Sequence, residues 1–170
     1  VNHTHFFREH EVLRHLDERI LAKAAGPTPI HVWSAAASSG EEAYTVAMMA
    51  NERSGGAEPN VRILGTDISG RVVAHAAEGI YHERRLSHVS SELRQRYFER
   101  VDQHRVRTKS ELRRMCLFRR FNLLGDEWPF RRPFDAVLLR NVLYYFSDRD
   151  QERLLQRIHR QVRPGGLLLV

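Results

Sequence analysis

Residues 32–47 read VWSAAASSGEEAYTVA, and this stretch decides the fold. The run Ile30 to Trp33 predicts a short strand, and Glu41 to Arg53 predict a helix that ends at the turn Ser54-Gly55-Gly56. Only small residues, Ala35 to Gly40, connect the two elements. A ligand can therefore lie directly against the backbone between a strand end and a helix start.

The two glutamates at the helix start indicate the charge of that ligand. Backbone N–H groups at a helix start attract an anionic or carboxylate group, whereas Glu41 and Glu42 would repel phosphate and favour a cation. The loop has neither the Gly-x-Gly-x-x-Gly pattern nor the Lys-Ser/Thr ending of a phosphate loop. A simpler alternative is a turn of small residues whose glutamates only complement the helix dipole.

A second predicted strand, Val61 to Gly65, ends in Thr66-Asp67-Ile68. An acidic residue at this strand end of an α/β sheet is placed to accept hydrogen bonds from ribose hydroxyls. Alternatively, Asp67 only caps the helix predicted to start at Ser69. Together the two strand ends favour a nucleoside that carries positive charge, and S-adenosylmethionine (SAM) has both a sulfonium and an amino group.

The nearly all-apolar run Phe134 to Leu139 predicts a strand buried on both faces of a parallel sheet. The polar pair Arg140-Asn141 follows it directly, so we expect this pair at the mouth of the site, with the Tyr145 hydroxyl nearby. A packing role for the aromatic residues would explain Phe146 and also Tyr144. It would not explain the polar pair.

Strands alternate with helices along the chain, which predicts an α/β fold with a doubly wound, mostly parallel sheet. Apolar spacing predicts a first helix from Arg8 to Ala25, and Pro164-Gly165-Gly166 should end a last helix that begins after Ser147. Strand-like runs near 105 and 116–121, with a turn between them, indicate a small antiparallel insertion around 99–121. The final strand starts at Leu167, so we expect a C-terminally truncated sheet that lacks a hairpin.

Composition limits the possible classes of protein. The 170 residues suit one domain, no run approaches the roughly 20 apolar residues of a membrane span, and Val1 to His10 is too polar for a signal peptide. A single cysteine, Cys116, excludes a disulfide within the chain and favours the cytoplasm.

The net charge of +6 comes from arginine pairs, which either attract nucleic acid or form a solvated face. The second interpretation, a solvated face, is favoured.

Seven segments, in order along the whole chain, carry a resemblance to a known family. They are Asn2-x-Thr4-x-Phe6-Phe7-Arg8, residues 32–44, Thr66-Asp67-Ile68, Gly79-Ile80-Tyr81, Phe121-Asn122-Leu123-Leu124, Phe134-Asp135 and residues 140–146. These segments are similar to the CheR-type chemotaxis receptor methyltransferases, whose catalytic domain has the Rossmann-like fold of SAM-dependent methyltransferases. The resemblance implies an enzyme that methylates glutamate side chains of chemoreceptors and yields glutamyl methyl esters and S-adenosylhomocysteine.

The resemblance also implies roles for particular residues. Cofactor contacts are expected at Asn2, Thr4, Arg8, Glu42, Asp67, Asn122, Leu123, Arg140 and Asn141, and no metal is expected. Among them, Glu42 holds the methionine end, Asp67 the ribose, and Asn122-Leu123 the adenine. Arg8, beside the reacting centre, and Tyr145, near the substrate carboxyl, are the expected catalytic residues. A glutamate carboxylate is already ionised near neutral pH, so the site has mainly to position its reactants.

Departures from the family pattern shape the expected domains and partner. Residues 1–170 are predicted to be a SAM-binding fragment, without the family's helical N-terminal domain or its last strands and with 99–121 as a small β-subdomain. The segment between Phe98 and Asn122 lacks the glycine-containing loop of members that dock on a receptor's tail peptide. The expected partner is therefore the cytoplasmic helical region of chemoreceptors, without a tail-peptide tether, nucleic acid or membrane insertion.

Two other functions remain open from the sequence. One is a SAM-dependent enzyme with another substrate, for instance RNA, which the basic charge suggests. The other is a signalling domain that binds SAM without catalysis.

Overall fold

The computed structural model describes residues 4–170, so the predicted contact at Asn2 lies outside the described residues. The helices in this range are α1 (His10–Arg19), α2 (Glu41–Arg53), α3 (Gly70–Glu78), α4 (Ser91–Tyr97), α5 (Ser110–Met115) and α6 (Asp148–His159). The strands are β1 (Ile30–Ala35), β2 (Val61–Asp67), β3 (Ile80–His82), β4 (Phe98–Arg100), β5 (Arg105–Thr108), β6 (Cys116–Arg120), β7 (Phe134–Leu138) and β8 (Val162–Leu169). Short 3-10 turns cover Leu21–Lys23, Glu83–Leu86 and Leu143–Tyr145.

The main sheet confirms the predicted doubly wound, mostly parallel architecture. Its strand order is β6-β2-β1-β7-β8, and every pairing between neighbours is parallel. The direction in which strands are added to the sheet reverses at β1. The chain places β2 and β6 on one side of β1, and it places β7 and β8 on the other side. Ligands of open α/β sheets bind at such a switch point, beyond the carboxyl ends of the strands.

Alternating residues of the two central strands supply separate cores on the two faces of the sheet. Val32 and Leu138 pack in one core with α1 and α2, while Trp33 and Val137 pack in the other with α6 and an aromatic loop. All five residues of β7 are buried, as its apolar run predicted. None of the described helices combines the length and the apolar content that crossing a membrane requires.

The predicted small antiparallel sheet is present, but its bounds differ from 99–121. It consists of three strands in the order β3-β5-β4, and it therefore begins near residue 80 and ends at residue 108. Strand β6 instead pairs in parallel with β2 at the edge of the main sheet, with Phe118 opposite Gly65. The predicted turn between β5 and β6 is helix α5, whose buried Leu112 and Met115 pack on the main core.

Three predicted helix boundaries were wrong. The first helix begins at His10 and not at Arg8, because Phe7 and Glu9 adopt left-handed backbone angles. It ends at Arg19 and not at Ala25, and Leu21–Lys23 form a 3-10 turn instead. Helix α6 ends at His159, and Pro164-Gly165-Gly166 lies inside β8, where the register with β7 shifts. A Cβ on Gly166 would lie 2.8 Å from the carbonyl oxygen of Asp135, so the strand passes too close to β7 for a side chain.

Substitution of Gly65 by alanine is expected to destabilise the fold by about 1–3 kcal/mol through overpacking. A Cβ at this position would lie 2.5 Å from the ring of Phe118 and 3.2 Å from the Cβ of Ala37. Urea unfolding of the two proteins measures the difference. Gly70→Ala is the matched control, since its nearest neighbour would be 3.8 Å away. Equal stability of Gly65→Ala and wild type would contradict the packing argument.

Candidate active site

A cavity of about 420 Å³ lies beyond the carboxyl ends of β1, β2, β6 and β7. This volume is in the range of small-molecule binding sites. All nine described residues that the sequence singled out contribute to its wall, namely Thr4, Arg8, Glu42, Asp67, Asn122, Leu123, Arg140, Asn141 and Tyr145. The structure therefore brings them together, and their individual roles stay predictions.

The floor of the cavity is the small-residue loop after β1. Ala36 and Ser38 have φ values of 72° and 49°, and Gly40 at the start of α2 has a φ of 93°. Left-handed angles are uncommon for residues other than glycine, and they cluster at functional sites. The end of β2 holds the loop in this shape, since the Ala37 amide donates to the Thr66 carbonyl oxygen over 2.7 Å.

The two glutamates of α2 have different surroundings. Glu41 is fully buried away from the cavity, where Arg85 and Ser39 each donate to its carboxylate over 2.6 Å. Glu42 belongs to the cavity wall and accepts a 2.6 Å hydrogen bond from the Ser34 hydroxyl. Only Glu42 is therefore placed to meet a ligand.

Arg140 joins three parts of the site. Its side chain is 2% exposed, and its Nη1 donates to Glu42 Oε2 over 3.1 Å. Its Nη2 donates to the backbone oxygen of Arg8 and, over 3.1 Å, to Glu9 Oε2. Burial raises the pKa of Glu42 above its ordinary value, while the Arg140 guanidinium and the Ser34 hydroxyl act in the opposite direction. The guanidinium thus offsets part of the cost of burying a carboxylate, and burial remains the larger effect.

The Asp67 carboxylate accepts hydrogen bonds from backbone amides and also forms part of the cavity wall. Its two oxygens accept from the amides of Ser38 and Ser69, each over 3.0 Å. The second bond shows that Asp67 does hold the start of α3, as the capping alternative proposed, while the Ser69 side chain makes no capping bond. Each carboxylate oxygen can accept a further hydrogen bond, so both remain available to a ligand.

The segment of residues 4–9 is anchored over the start of α2. Phe6 is fully buried between Tyr81 and Phe98, with its ring edge-on to both. The Phe7 amide donates to Thr45 Oγ1 over 3.1 Å. These anchors place Arg8 in the cavity wall with its side chain 29% exposed.

Two tyrosines stand at the rim of the cavity. Tyr144 is 66% exposed and Tyr145 is 61% exposed, and their ring centroids are 4.4 Å apart. A packing role for Tyr144 was therefore wrong, because the 3-10 turn after β7 carries the ring outward. Phe146 is partly buried and does pack against the second core.

Sequence reasoning missed Glu9 and Ser34. Glu9 contacts Arg140 and Asn141, and Ser34 donates to Glu42. One signal was available for Glu9, because an arginine directly after a buried strand needs a carboxylate partner if it is itself buried. The sequence offered several acidic residues for that role, and no spacing rule selects among them.

Two buried polar atoms in the cavity wall have no hydrogen-bond partner within residues 4–170. They are Ser38 Oγ and Arg140 Nε. Buried polar groups are normally paired, so both are open to a polar ligand. No cluster of three or more His, Cys, Asp or Glu side chains suited to a metal ion occurs in the described part of the chain.

Comparison with known proteins supports a family assignment. The family model described as CheR methyltransferase, SAM binding domain, matches residues 2–170. A chemotaxis protein methyltransferase of Borreliella burgdorferi is 35% identical over 99% of this chain and 62% of its own length. Chemotaxis protein methyltransferase 2 of Pseudomonas aeruginosa is 37% identical over 98% of this chain and 60% of its own length. The chain thus spans about three fifths of these relatives.

Solved structures share the fold at low sequence identity. A glycopeptide N-methyltransferase, MtfA, complexed with SAM has a TM-score of 0.53 and 16% identity, over 93% of this chain and 52% of its own. PKMT2 from Rickettsia typhi in complex with AdoHcy has a TM-score of 0.55 and 12% identity, over 98% of this chain and 26% of its own. The likeness supports the SAM-dependent methyltransferase type of α/β fold.

Proposed function

Because the chain belongs to the CheR methyltransferase family, as a SAM-binding domain, we propose that it transfers the methyl group of SAM to glutamate side chains of chemoreceptor-type proteins. The products are glutamyl methyl esters and S-adenosylhomocysteine. One observation carries the proposal beyond the family. A single cavity has the carboxylates of Glu42 and Asp67 in its wall, together with the Arg8 guanidinium and an exposed Tyr145 at its rim.

The cavity wall fits the chemistry of SAM. The Glu42 carboxylate suits the amino group of the methionine end, and the free acceptor sites of Asp67 suit ribose hydroxyls. Leu123, which is buried, and Asn122, which is exposed, would flank the adenine. Thr4, Arg140 and Asn141 would complete the contacts, with Arg140 Nε and Ser38 Oγ as unpartnered groups among the described residues.

The substrate end would be formed by Arg8 and Tyr145. SAM supplies a methyl group activated by its sulfonium. The substrate carboxylate oxygen forms a bond to that methyl carbon as the carbon–sulfur bond breaks, and the electron pair goes to sulfur. No proton moves, so a general base is not needed. Arg8 would hold the carboxylate and Tyr145 would orient it, an effect of positioning that is worth several kcal/mol.

The proposed partner is the cytoplasmic helical region of chemoreceptors, and the proposed location is the cytoplasm. The relatives' names, chemotaxis protein methyltransferase, support this partner class. The three-stranded sheet β3-β5-β4 has only a short connection between β4 and β5, which supports binding without a tail-peptide tether.

A methanol-release assay tests the proposed reaction. The chain is incubated with methyl-labelled SAM and the cytoplasmic fragment of a chemoreceptor, and the labelled protein is then treated with base. Carboxyl methyl esters release volatile labelled methanol, whereas methylated nitrogen and RNA do not. A receptor fragment with its methylatable glutamates replaced by alanine is the matched control.

A parallel reaction with RNA as the acceptor and a SAM-binding titration complete the test, and each other outcome contradicts the proposal in a recognisable way. Base-stable label on protein or RNA would indicate a methyltransferase with another substrate. Binding of SAM without transfer to any substrate would indicate the non-catalytic alternative.

A further inference from the structure

Glu9 has an unusual backbone conformation and reaches across the site. Its φ and ψ are 52° and 57°, and its side chain makes no capping bond to α1. Its carboxylate instead bridges two consecutive residues after β7. Oε1 accepts from Asn141 Nδ2 over 3.0 Å, and Oε2 accepts from Arg140 Nη2 over 3.1 Å.

Both ends of this bridge are in left-handed conformations. Phe7, Glu9 and Asn141 have φ values of 56°, 52° and 56°. Such angles cost free energy for residues other than glycine, and they persist only where surrounding contacts hold them. Together with the hydrogen bond from Arg140 to the Arg8 carbonyl oxygen, the bridge joins the two strained segments.

The charges around the bridge balance. The guanidinium of Arg140 lies between the carboxylates of Glu9 and Glu42, and Arg8 Nε lies 3.6 Å from Glu9 Oε1. Two positive and two negative groups therefore form one network. The hydrogen bond from Asn141, followed by the bond and charge of Arg140, lowers the pKa of Glu9, so its carboxylate is ionised at neutral pH.

We propose that Glu9 is a positioning residue that latches residues 4–9 onto the end of β7 and thereby orients Arg140 and Asn141 toward the cofactor. This rests on the proposed function. Glu9 itself is absent from the cavity wall formed by the described residues, so it acts through its neighbours and not by contact. Without its charge, Arg140 keeps Glu42 and the Arg8 carbonyl oxygen as partners but loses its ion pair with the N-terminal segment.

The variant Glu9→Gln tests the latch, because it keeps the size of the side chain and removes its charge. The NH2 group of the glutamine replaces one carboxylate oxygen and then faces a hydrogen-bond donor, either Arg140 or Asn141. In the full chain, the Kd for S-adenosylhomocysteine, measured by calorimetry, is expected to rise about tenfold. In turnover assays the KM for SAM should rise by a similar factor, while kcat falls less than threefold. That split is the signature of lost binding shared by ground and transition states.

The matched control is Glu11→Gln. Glu11 lies two residues further along, in the first turn of α1, and pairs with Arg14 at the surface. Its Kd and KM should stay within twofold of wild type.

The outcomes separate the latch from the proposed function. If the wild-type chain binds S-adenosylhomocysteine and Glu9→Gln binds it equally well, the latch alone is overturned. A Glu9→Gln variant that unfolds at a lower midpoint but has an unchanged Kd and KM would overturn it too. A wild-type chain that binds no S-adenosylhomocysteine would instead overturn the proposed function.

Discussion

Replacement of Arg8 by alanine is expected to lower kcat/KM for methyl transfer by about 100- to 1,000-fold, the usual effect of removing one donor aimed at a reacting group. Arg8 lies in the cavity wall and would hold the substrate carboxylate beside the cofactor. The fold should lose much less, about 1 kcal/mol or below, because the ion pair with Glu9 is partly exposed and 3.6 Å long. Unchanged turnover would refute the proposed role.

Initial-rate assays with a receptor fragment and urea unfolding measure the two effects of Arg8→Ala separately. Arg14→Ala is the matched control, since Arg14 lies nearby on α1 with a side chain 54% exposed and pairs only weakly with Glu11 and Glu18 among the described contacts. Its turnover should equal that of wild type. Arg8→Lys keeps the charge but not the two-pronged geometry, so its activity should fall between those of Arg8→Ala and wild type.

Replacement of Arg140 by methionine is expected to destabilise the fold by about 3–5 kcal/mol and to abolish measurable cofactor binding. The guanidinium is buried between Glu42 and Glu9, and its removal leaves the carboxylate of Glu42 without a cation in a site where burial already raises its pKa. Methionine preserves most of the volume, so the loss reports on charge and hydrogen bonds. Chemical unfolding gives the free energy, and calorimetry gives the affinity.

Two further variants test the cause of that loss. Glu42→Gln combined with Arg140→Met should be more stable than Arg140→Met alone, because the unpaired charge is gone. Arg153→Met serves as the control, since Arg153 is exposed and its pair with Asp126 spans 3.2 Å at the surface. The control should change stability by no more than about 0.5 kcal/mol. A double variant no more stable than Arg140→Met would show that lost packing, and not unpaired charge, causes the effect.

The sequence predicted the sheet well because its evidence is local. A strand buried on both faces needs a continuous apolar run, and residues 134–138 have one. A switch from such a run to small or polar residues marks the carboxyl end of a strand. In a parallel sheet these ends meet at one edge, so the nearness of Glu42, Asp67 and Arg140 followed from the alternation of elements alone.

The features of the fold that the sequence did not predict depend on contacts between residues far apart in the chain. Strand β6 has the same local pattern whether it pairs with β5 or with β2, and the packing of Phe118 against Gly65 decides for β2. The Pro164-Gly165-Gly166 segment has the composition of a helix stop, but it lies inside β8, in the irregularity between the residues that pair with Phe134 and Ala136 of β7. Neither choice is contained in the spacing of residues within one segment.

The sequence by itself determined the α/β class, the family and nine of the residues that line the cavity, because each depends on a residue type at a strand end or on an ordered set of motifs. Only the tertiary structure decided how those residues hold one another. The left-handed angles at residues 7, 9 and 141 bring the Glu9 carboxylate back to Arg140 and Asn141, across more than 130 positions of chain. A buried charge requires a partner of opposite sign, but which carboxylate supplies it is a matter of three-dimensional distance, and the linear order of residues does not encode that distance locally.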